Sequence, residues 1–397
     1  MRILYSHRVQ SHDGQSVHIE ELVAAFRKAG HEVLVVGPTF YENANFGGES
    51  RFVALIRKAL PRILAELAEL IYNIPAFLRL RRAYKGFLPD FVYERYNLYY
   101  LSGMLLKRLY GIPFCLEINS PLAEERSRFG GLRLRWLARV LEHLVWRSAD
   151  RIFVVTAVLG EAVADAGVSR DRIIVVPNGV ERDAFPTAPY KKENPEELVL
   201  VGFVGFVRAW HGLDAVVKGL ASDRGDPPIH LIVVGPVCPD LERRARELGV
   251  ADRVRFTGLQ QRGDIPDAIR NFDIALQPRA VEYASPLKLF EYMACGRAII
   301  APNQPNIREI LTDGVNATLF DPEDANALWR AIRQLAADRR MRERLGSAAR
   351  RTLDDHDYTW EGNAFKVIDV VMTDLIRHRV AANGASSLDR SARHEPQ

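Results

Sequence analysis

Short apolar segments alternate with amphipathic helical patterns along most of this chain, and that alternation is the feature that most restricts its fold. The segments RILYS, EVLVVGP, PFCLEIN and RIFVVT are separated by helical patterns, the clearest over Val17–Lys28 and about Leu132–Arg147. Strands that alternate with helices in this way predict a parallel sheet covered by helices. Segments that are apolar at every position fit strands buried on both faces. The sequence therefore predicts an α/β fold.

A polar, proline-containing stretch, ERDAFPTAPYKKENPEE at residues 181–197, interrupts the alternation, which then restarts with LVLVGFVG. Stretches of this composition are typical of linkers between domains. We therefore predict two doubly wound, Rossmann-like domains, over residues 1–185 and 186–359, with an interdomain cleft as the ligand site. The pattern over residues 360–380 predicts a last helix that returns to the N-terminal domain. Residues 381–397 lack periodicity, and we expect them to be disordered.

Composition excludes several classes of protein. The net charge of +4 is mild for 397 residues, so we expect no nucleic-acid partner. Cys115, Cys238 and Cys295 lie far apart, which predicts neither a disulfide framework nor a zinc site. The start of the chain lacks a signal-peptide pattern, and no stretch approaches the ~20 apolar residues of a membrane span. These features predict a cytoplasmic protein.

The stretch SPLKLFEYMACG, residues 285–296, places two charged side chains in an otherwise apolar helix. Ser285 and Pro286 predict the N-cap and the first helical position, and Gly296 predicts the C-terminal end. A helix N-terminus suits a phosphate, and a cation such as Lys288 is unfavourable there unless an anion binds. Glu291 lies on the same helix face and could accept hydrogen bonds from ribose hydroxyls. The alternative, a solvated i,i+3 ion pair, is disfavoured by the apolar residues around it.

Two loops that follow predicted strands carry further polar residues. Arg208 and His211, in GFVGFVRAWHG, could both reach a diphosphate, although a surface cation and an ordinary loop histidine are the simpler interpretations of each alone. Gly14, close to Asp13 and His18 in the first β–α turn, either lets a ligand approach the backbone or marks an ordinary tight turn. The chain contains neither the dinucleotide-binding fingerprint nor the Walker pattern.

Charged residues also stand at the ends of two predicted strands in the N-terminal domain. VYERYN places Glu94 and Arg95 there, and LEINSP places Glu117 and Asn119. Carboxylates at strand ends in a cleft could act as acid, base or ligand of sugar hydroxyls. An internal ion pair, for example Glu94 with Arg95 or Arg126, explains the same residues equally well, so both interpretations stay open.

Two regions of the N-terminal half combine arginines with apolar helical patterns. Residues 51–87 contain eight lysines or arginines against two acids, and residues 126–147 contain six arginines with one acid near the end, Glu142. Basic amphipathic helices are typical of proteins that bind an anionic membrane surface. The alternative is that these helices pack on the sheet and leave their cationic faces in water.

Several stretches together resemble glycosyltransferase family 4, a retaining family with the GT-B fold. The most specific is SPLKLFEYMACGRAIIA, and GIPFCLEINSPLAEE, IIVVPNGVE, VRFTGL and LFDPEDANALWRAI occur in the order and spacing of the family. The resemblance implies that this helix N-terminus holds a nucleotide-sugar, with Glu291 on the ribose and backbone N–H groups around Pro286–Lys288 on the diphosphate. It also implies that Arg208, His211 and Lys288 stabilise the leaving group. Further donor-side candidates are Ser285, Leu287, Gly14, Gly258 and Leu259.

Three features depart from the family pattern. Where the family usually has a basic pair of arginine and lysine, this chain has Phe206 and His211, and Arg208 is a candidate to replace the arginine. Where the family often has the first of two glutamates, this chain has Tyr283 with Glu282 beside it, and both are candidates for contact with the donor sugar. Many members carry a histidine after the strand that here ends in EIN, where this chain offers Glu117 and Asn119.

The resemblance implies transfer of a sugar from a nucleotide-sugar to a hydroxyl acceptor with retention of configuration. The sequence has no cluster with metal-ligand spacing, so we expect no metal and no cofactor besides the donor substrate. An acceptor attached to a membrane lipid would fit the basic helices and a role in cell-surface polysaccharide or glycolipid assembly at the inner face of the cell membrane. The alternatives are a sugar-nucleotide epimerase of the same fold and a non-catalytic two-lobed sugar-binding protein. Acceptor-side candidates are Asp13, His18, Glu94, Arg95, Glu117 and Asn119.

Overall fold

The computed structural model describes residues 1–9, 14–38, 62–187, 198–207 and 211–374. Within these ranges the chain forms two six-stranded sheets in which all the strand pairs are parallel. The predicted pair of doubly wound α/β domains is therefore confirmed. No helix in the described ranges is long and apolar enough to cross a bilayer. Asp13, Arg208, residues 51–61 and residues 381–397, which carry predictions, lie outside these ranges.

The N-terminal sheet has the strand order β2-β1-β3-β4-β5-β6. Strands β3 and β4 are buried at every position, as expected for strands covered on both faces. The strands are β1 (Arg2–Ser6), β2 (Glu32–Val36), β3 (Phe91–Arg95), β4 (Phe114–Ile118), β5 (Arg151–Val154) and β6 (Ile173–Val175). The helices are α1 (Gly14–Lys28), α2 (Arg62–Ile71), α3 (Asn73–Phe87), α4 (Ser102–Tyr110), α5 (Leu122–Glu125), α6 (Arg135–Ser148) and α7 (Ala157–Asp165).

The C-terminal sheet has the order β12-β11-β10-β7-β8-β9. In both sheets the first strand in the chain has a neighbour on each side, so the strand order reverses there. Such a reversal leaves a crevice at the carboxyl ends of the strands. The strands are β7 (Val199–Val204), β8 (Ile229–Val234), β9 (Val254–Phe256), β10 (Ile274–Leu276), β11 (Ala298–Pro302) and β12 (Thr318–Phe320). The helices are α8 (Leu213–Ser222), α9 (Pro239–Glu247), α10 (Ile265–Arg270), α11 (Leu287–Ala294), α12 (Pro305–Arg308), α13 (Ala327–Ala337), α14 (Arg339–Asp355) and α15 (residues 360–374).

Two helix boundaries differ from the prediction. Helix α1 begins at Gly14, three residues before the predicted start. Helix α6 begins at Arg135 rather than near Leu132. The backbone N–H groups of residues 133 and 134 donate to the carboxylate of Glu66, at 2.7 and 2.9 Å, so the segment before α6 is held in a turn.

The chain crosses between the domains twice, and the two crossings lie side by side. Val180 forms a parallel bridge with Thr359. After the second crossing, α15 packs on the N-terminal sheet, where Trp360 and Val367 join the same buried cluster as Phe26. Burying each such side chain contributes about 1.5–3 kcal/mol. Helix α15 is thereby held on the N-terminal domain.

Candidate active site

A cavity of about 530 Å³ opens at the carboxyl ends of the C-terminal strands, and we call it the C-domain cavity. Gly205, Gly235 and Gln277 line it directly after strands β7, β8 and β10. The first residues of α11 form a second wall, and Gly14 and Val17 of α1 approach from the other domain. The cavity therefore lies between the domains, at the edge where open α/β sheets bind ligands.

Helix α11 begins one residue later than predicted. Pro286 is its N-cap, with an extended backbone, and the first helical residue is Leu287. Ser285 does not cap the helix, because its hydroxyl accepts a hydrogen bond from the backbone N–H of Asn178 at 3.1 Å. Asn178 Nδ2 also donates to the Ser285 carbonyl, at 2.6 Å. The segment before the helix is thus fixed by the N-terminal domain. At the other end, Gly296 has the predicted left-handed conformation, with φ +64°.

Lys288 presents a cation to the C-domain cavity. The side chain is half-buried, and its Nζ lies 4.0 Å from the centroid of the Phe203 ring. Its ammonium makes no hydrogen bond or ion pair with any residue that the structure describes. Burial lowers the pKa of Lys288 to about 8, although the nearby Glu291 carboxylate favours the charged form. A helix N-terminus adds partial positive charge, so this wall suits an anion.

Glu291 pairs with Arg262 rather than with Lys288, so the alternative of a solvated i,i+3 pair is wrong. Arg262 Nη1 lies 2.5 Å from Glu291 Oε1, and Nη2 lies 3.5 Å from Glu21 Oε1 on α1. Glu291 is 5% exposed and lines the cavity. An ionised carboxylate has about four lone-pair sites, so it can accept from hydroxyls while it keeps one guanidinium contact.

Three other predicted site residues line the same cavity. His211 lines it, with its ring 5.2 Å from that of Phe203. Leu287 and Leu259 line it as well, whereas Gly258 does not and instead bridges Gly235 with φ +78°.

A second cavity, of about 500 Å³, lies against the first, and we call it the N-domain cavity. The two share part of their walls, namely Gly14, Gln15, Val281, Ala284 and Leu287. The N-domain cavity is also lined by the predicted residues His18, Arg95 and Asn119. Two ligands could therefore meet at a shared boundary.

Glu117 lies behind this cavity at the centre of a buried network. Its Oε1 accepts from Arg95 Nη1 at 2.5 Å and from Asn119 Nδ2 at 2.6 Å, and it lies 3.1 Å from His18 Nε2. Its Oε2 accepts from the Tyr93 hydroxyl at 3.1 Å. Burial alone would raise the pKa of Glu117, but the charges of His18 and Arg95 bring it well below the usual range. This carboxylate therefore supports the wall and has no free oxygen for a proton from a substrate.

Glu94 is fully buried and lines neither cavity, so it cannot meet an acceptor there. Its Oε2 accepts from the Ser6 hydroxyl at 3.2 Å and from the backbone N–H of Gly103 at 2.9 Å. The suggested ion pairs of Glu94 with Arg95 or Arg126 do not form, since Arg95 binds Glu117 and Arg126 binds Glu69. Burial raises the pKa of Glu94 to about 8.

Tyr283 and Glu282 do not line the C-domain cavity, contrary to the donor-side prediction. The Tyr283 hydroxyl donates to Glu125 Oε2 at 2.8 Å and faces the N-domain cavity. The Tyr283 carbonyl accepts from the Thr156 hydroxyl at 3.0 Å, which holds the loop against the N-terminal domain. Glu282 is exposed.

Sequence reasoning missed three residues that the structure brings to the site. Asn178, Arg262 and Gln277 line the cavities. Asn178 and Gln277 follow β6 and β10, so examination of every polar residue after a strand would have found them. Arg262 gave no such signal, because its role depends on partners 29 and 241 positions away.

The described residues contain no group of three or more His, Cys, Asp or Glu side chains that could hold a metal ion.

Comparison with known proteins gives two matching family models. The model "Glycosyl transferase 4-like domain" matches residues 13–179, and "Glycosyl transferases group 1" matches residues 185–352. A 2-deoxystreptamine N-acetyl-D-glucosaminyltransferase from Streptomyces fradiae is 28% identical over 75% of this chain and 76% of that protein.

Solved structures share the fold. Sucrose-phosphate synthase from Thermosynechococcus elongatus has a TM-score of 0.74 at 19% identity, over 96% of this chain and 100% of that chain. HepE from Anabaena in complex with UDP has a TM-score of 0.71 at 16% identity, over 94% of this chain and 100% of that chain.

The two sheets and the cleft between them define the GT-B fold, and the family models and the named relative identify the protein as a glycosyltransferase. The chain belongs to glycosyltransferase family 4. The matched relatives do not favour the epimerase or the non-catalytic binding protein.

Proposed function

We propose that this enzyme transfers a sugar from a nucleotide-sugar bound in the C-domain cavity to a hydroxyl acceptor in the N-domain cavity, with retention. The observation that carries this proposal is the Lys288 ammonium at the start of α11, which faces the cavity without an anionic partner among the described residues. HepE, a protein of the same fold, binds UDP, which supports a nucleotide donor.

The proposed chemistry rests on stabilisation of the departing diphosphate. Negative charge on the leaving oxygen grows in the transition state, and Lys288 with the N–H groups of the first turn of α11 would bind it there. His211 lies in the same cavity and Arg208 is a further candidate. Glu291 would accept hydrogen bonds from the ribose hydroxyls.

The acceptor would enter through the N-domain cavity and reach the donor at the shared boundary. Arg95, Asn119 and His18 line that cavity, and their buried partners hold them in place. The acceptor hydroxyl would attack from the face that the diphosphate leaves, so its proton could pass to the departing oxygen. No protein carboxylate is needed as nucleophile.

The test is a product screen across UDP-, GDP- and ADP-sugars with a panel of hydroxyl acceptors. We expect one donor to give a new glycoside with the anomeric configuration of the donor. An epimerase would convert the donor alone into a second nucleotide-sugar. Thermal stabilisation by a donor, with neither a glycoside nor free nucleotide formed, would contradict the proposed catalysis.

We also propose that the acceptor is lipid-linked and that helices α2 and α6 contact an anionic membrane. On α2, Ile63 and Ile71 are 50% and 64% exposed, and on α6, Trp136 is 76% exposed. Val140 and Leu144 follow Trp136 at four-residue intervals and are exposed too. Exposed arginines flank the stripe on α6, at positions 133, 135, 139 and 147. Anionic lipids contribute about 1 kcal/mol for each such cation near the surface.

Sedimentation with vesicles tests this surface. The protein should bind anionic vesicles at low salt, bind neutral ones weakly, and dissociate as salt rises. Trp136→Ser should weaken binding, whereas Phe365→Ser should not, although Phe365 on α15 is 73% exposed. Equal, negligible binding to both vesicle types would contradict the membrane surface and leave the glycosyl transfer untouched.

A further inference from the structure

Gln277 has one side-chain atom without a partner at the wall of the C-domain cavity. The residue is 3% exposed and follows β10 directly. Its Nε2 donates to the carbonyl of Arg279 at 2.5 Å, which fixes the orientation of the amide because a carbonyl can only accept. Its Oε1 is buried and has no hydrogen-bond partner among the described residues. Buried polar atoms are rarely left in this state, so a bound group is expected to complete it.

The free atom is an acceptor, which restricts what it can bind. A fully ionised diphosphate offers only acceptor oxygens, so Gln277 Oε1 cannot hydrogen-bond to it. The ligand atom must carry a hydrogen, as a sugar hydroxyl, an acylamino N–H or a base N–H does.

The position of Gln277 in the C-domain cavity indicates whether it would bind the sugar or the base of the donor. Gln277 forms its hydrogen bond with Arg279, the first residue of the loop 279–284. Two residues of that loop, Val281 and Ala284, line both cavities. The transferred sugar must lie near that boundary if an acceptor enters from the N-domain cavity. Leu259, by contrast, follows β9 at the far edge of the sheet, three strands away from β10.

We propose that Gln277 is a specificity-determining residue that accepts a hydrogen bond from a hydroxyl or an acylamino N–H of the transferred sugar. This inference rests on the proposed function, because it places the donor in the C-domain cavity. A sugar that lacks the hydrogen at that position would leave Oε1 buried and unpaired, which reduces transfer from that sugar.

The experiment compares the wild type with Gln277→Met, which has a similar shape without the amide. Each protein is assayed with the preferred donor and with its singly deoxygenated analogues (a deacylated analogue where the donor has an acylamino group). In the wild type, one analogue should lose about ten- to a hundredfold in kcat/KM, and in Gln277→Met that analogue and the parent donor should differ less than threefold. Affinity for the free nucleoside diphosphate should stay within twofold of wild type.

A second variant, Gln277→Glu, keeps the acceptor oxygen and should keep the discrimination against that analogue, even if its charge weakens binding of the diphosphate. Equal analogue penalties in the wild type and Gln277→Met would overturn the inference, as would a loss of free-nucleotide affinity that matches the loss for the donor. If the wild type uses no nucleotide-sugar at all, the proposed function fails instead.

Discussion

The two walls of the cleft are built on the same six-stranded architecture but use their polar side chains differently. On the N-terminal wall, Arg95, Asn119 and His18 are held by Glu117, which binds four neighbours. On the C-terminal wall, the Lys288 ammonium faces the cavity, and Gln277, which lines it, has a side-chain oxygen; neither group has a hydrogen-bond partner among the described residues. One wall is completed by the protein, and the other is left for a ligand to complete.

This difference indicates that the polar residues of the N-terminal wall mainly stabilise the fold, whereas those of the C-terminal wall mainly bind the ligand. A buried charge that already has its partners contributes to the position of a wall, and removing it costs stability. A buried polar group without a partner costs stability in the free protein and recovers it when ligand binds. We therefore expect changes on the N-terminal wall to act first on folding and changes on the C-terminal wall to act first on donor binding and turnover.

The largest effect is expected from Glu117→Gln. The change leaves Arg95 and His18 buried with less negative charge beside them, and breaking such a network costs about 3–5 kcal/mol. The measurement is the guanidinium unfolding midpoint of the N-terminal domain, with Glu282→Gln at an exposed position as the control. An unchanged midpoint would mean that the network does not support this wall.

The strand-end carboxylates also show what could be predicted from the sequence. The two sheets were predictable because parallel strands are continuous apolar segments and each is followed by a helical pattern. The partners of Glu117 were not predictable, because they come from β3, β4 and α1 and meet only through the parallel register of the sheet. The same limit hid the pairing of Glu291 with Arg262.

The predicted start of α11 was wrong by one residue for a similar reason. A serine before a proline is a good N-cap signal, but Asn178 from the other domain binds Ser285 first. Contacts between distant segments thus override a correct local preference. The prediction that a cation, Lys288, lies at the site did not depend on such contacts. Predictions of which residues pair with each other did depend on them.

The next largest effect is expected from Lys288→Ala, on the C-terminal wall. Loss of a group that stabilises leaving-group charge should lower kcat by about 10²–10³ and change KM less, because that charge grows in the transition state. Lys218→Ala, an exposed lysine paired with Asp214, is the control for loss of a cation. Near-normal kcat in Lys288→Ala would contradict the role of this residue and the contrast between the walls.

A smaller effect is expected from Glu291→Gln. The ribose hydroxyls would lose an ionic acceptor, which is worth about 1.5–3 kcal/mol of nucleotide affinity. Titration calorimetry with the nucleoside diphosphate and its 2′- and 3′-deoxy forms checks this, since the wild type should discriminate among them and the variant should not. If the variant binds every form as the wild type does, Glu291 serves only as the partner of Arg262.

The smallest effect, about tenfold for each pH unit, is expected in the pH dependence of kcat/KM. Lys288 has a pKa of about 8, so its charged form predominates below that pH and is lost above it, and kcat/KM should fall as pH rises past 8. Glu94 also has a pKa of about 8, raised by burial from 4.5, but it lies in the core of the N-terminal domain, and the stability from its protonation is lost between about pH 4.5 and 8. Lys288→Arg separates the two, because a guanidinium stays charged over this range. The fall in kcat/KM above pH 8 should disappear in that variant, while the loss of thermal stability between about pH 4.5 and 8 stays. A fall that persists in Lys288→Arg would assign the titration to another group and contradict the role of the Lys288 charge on the C-terminal wall.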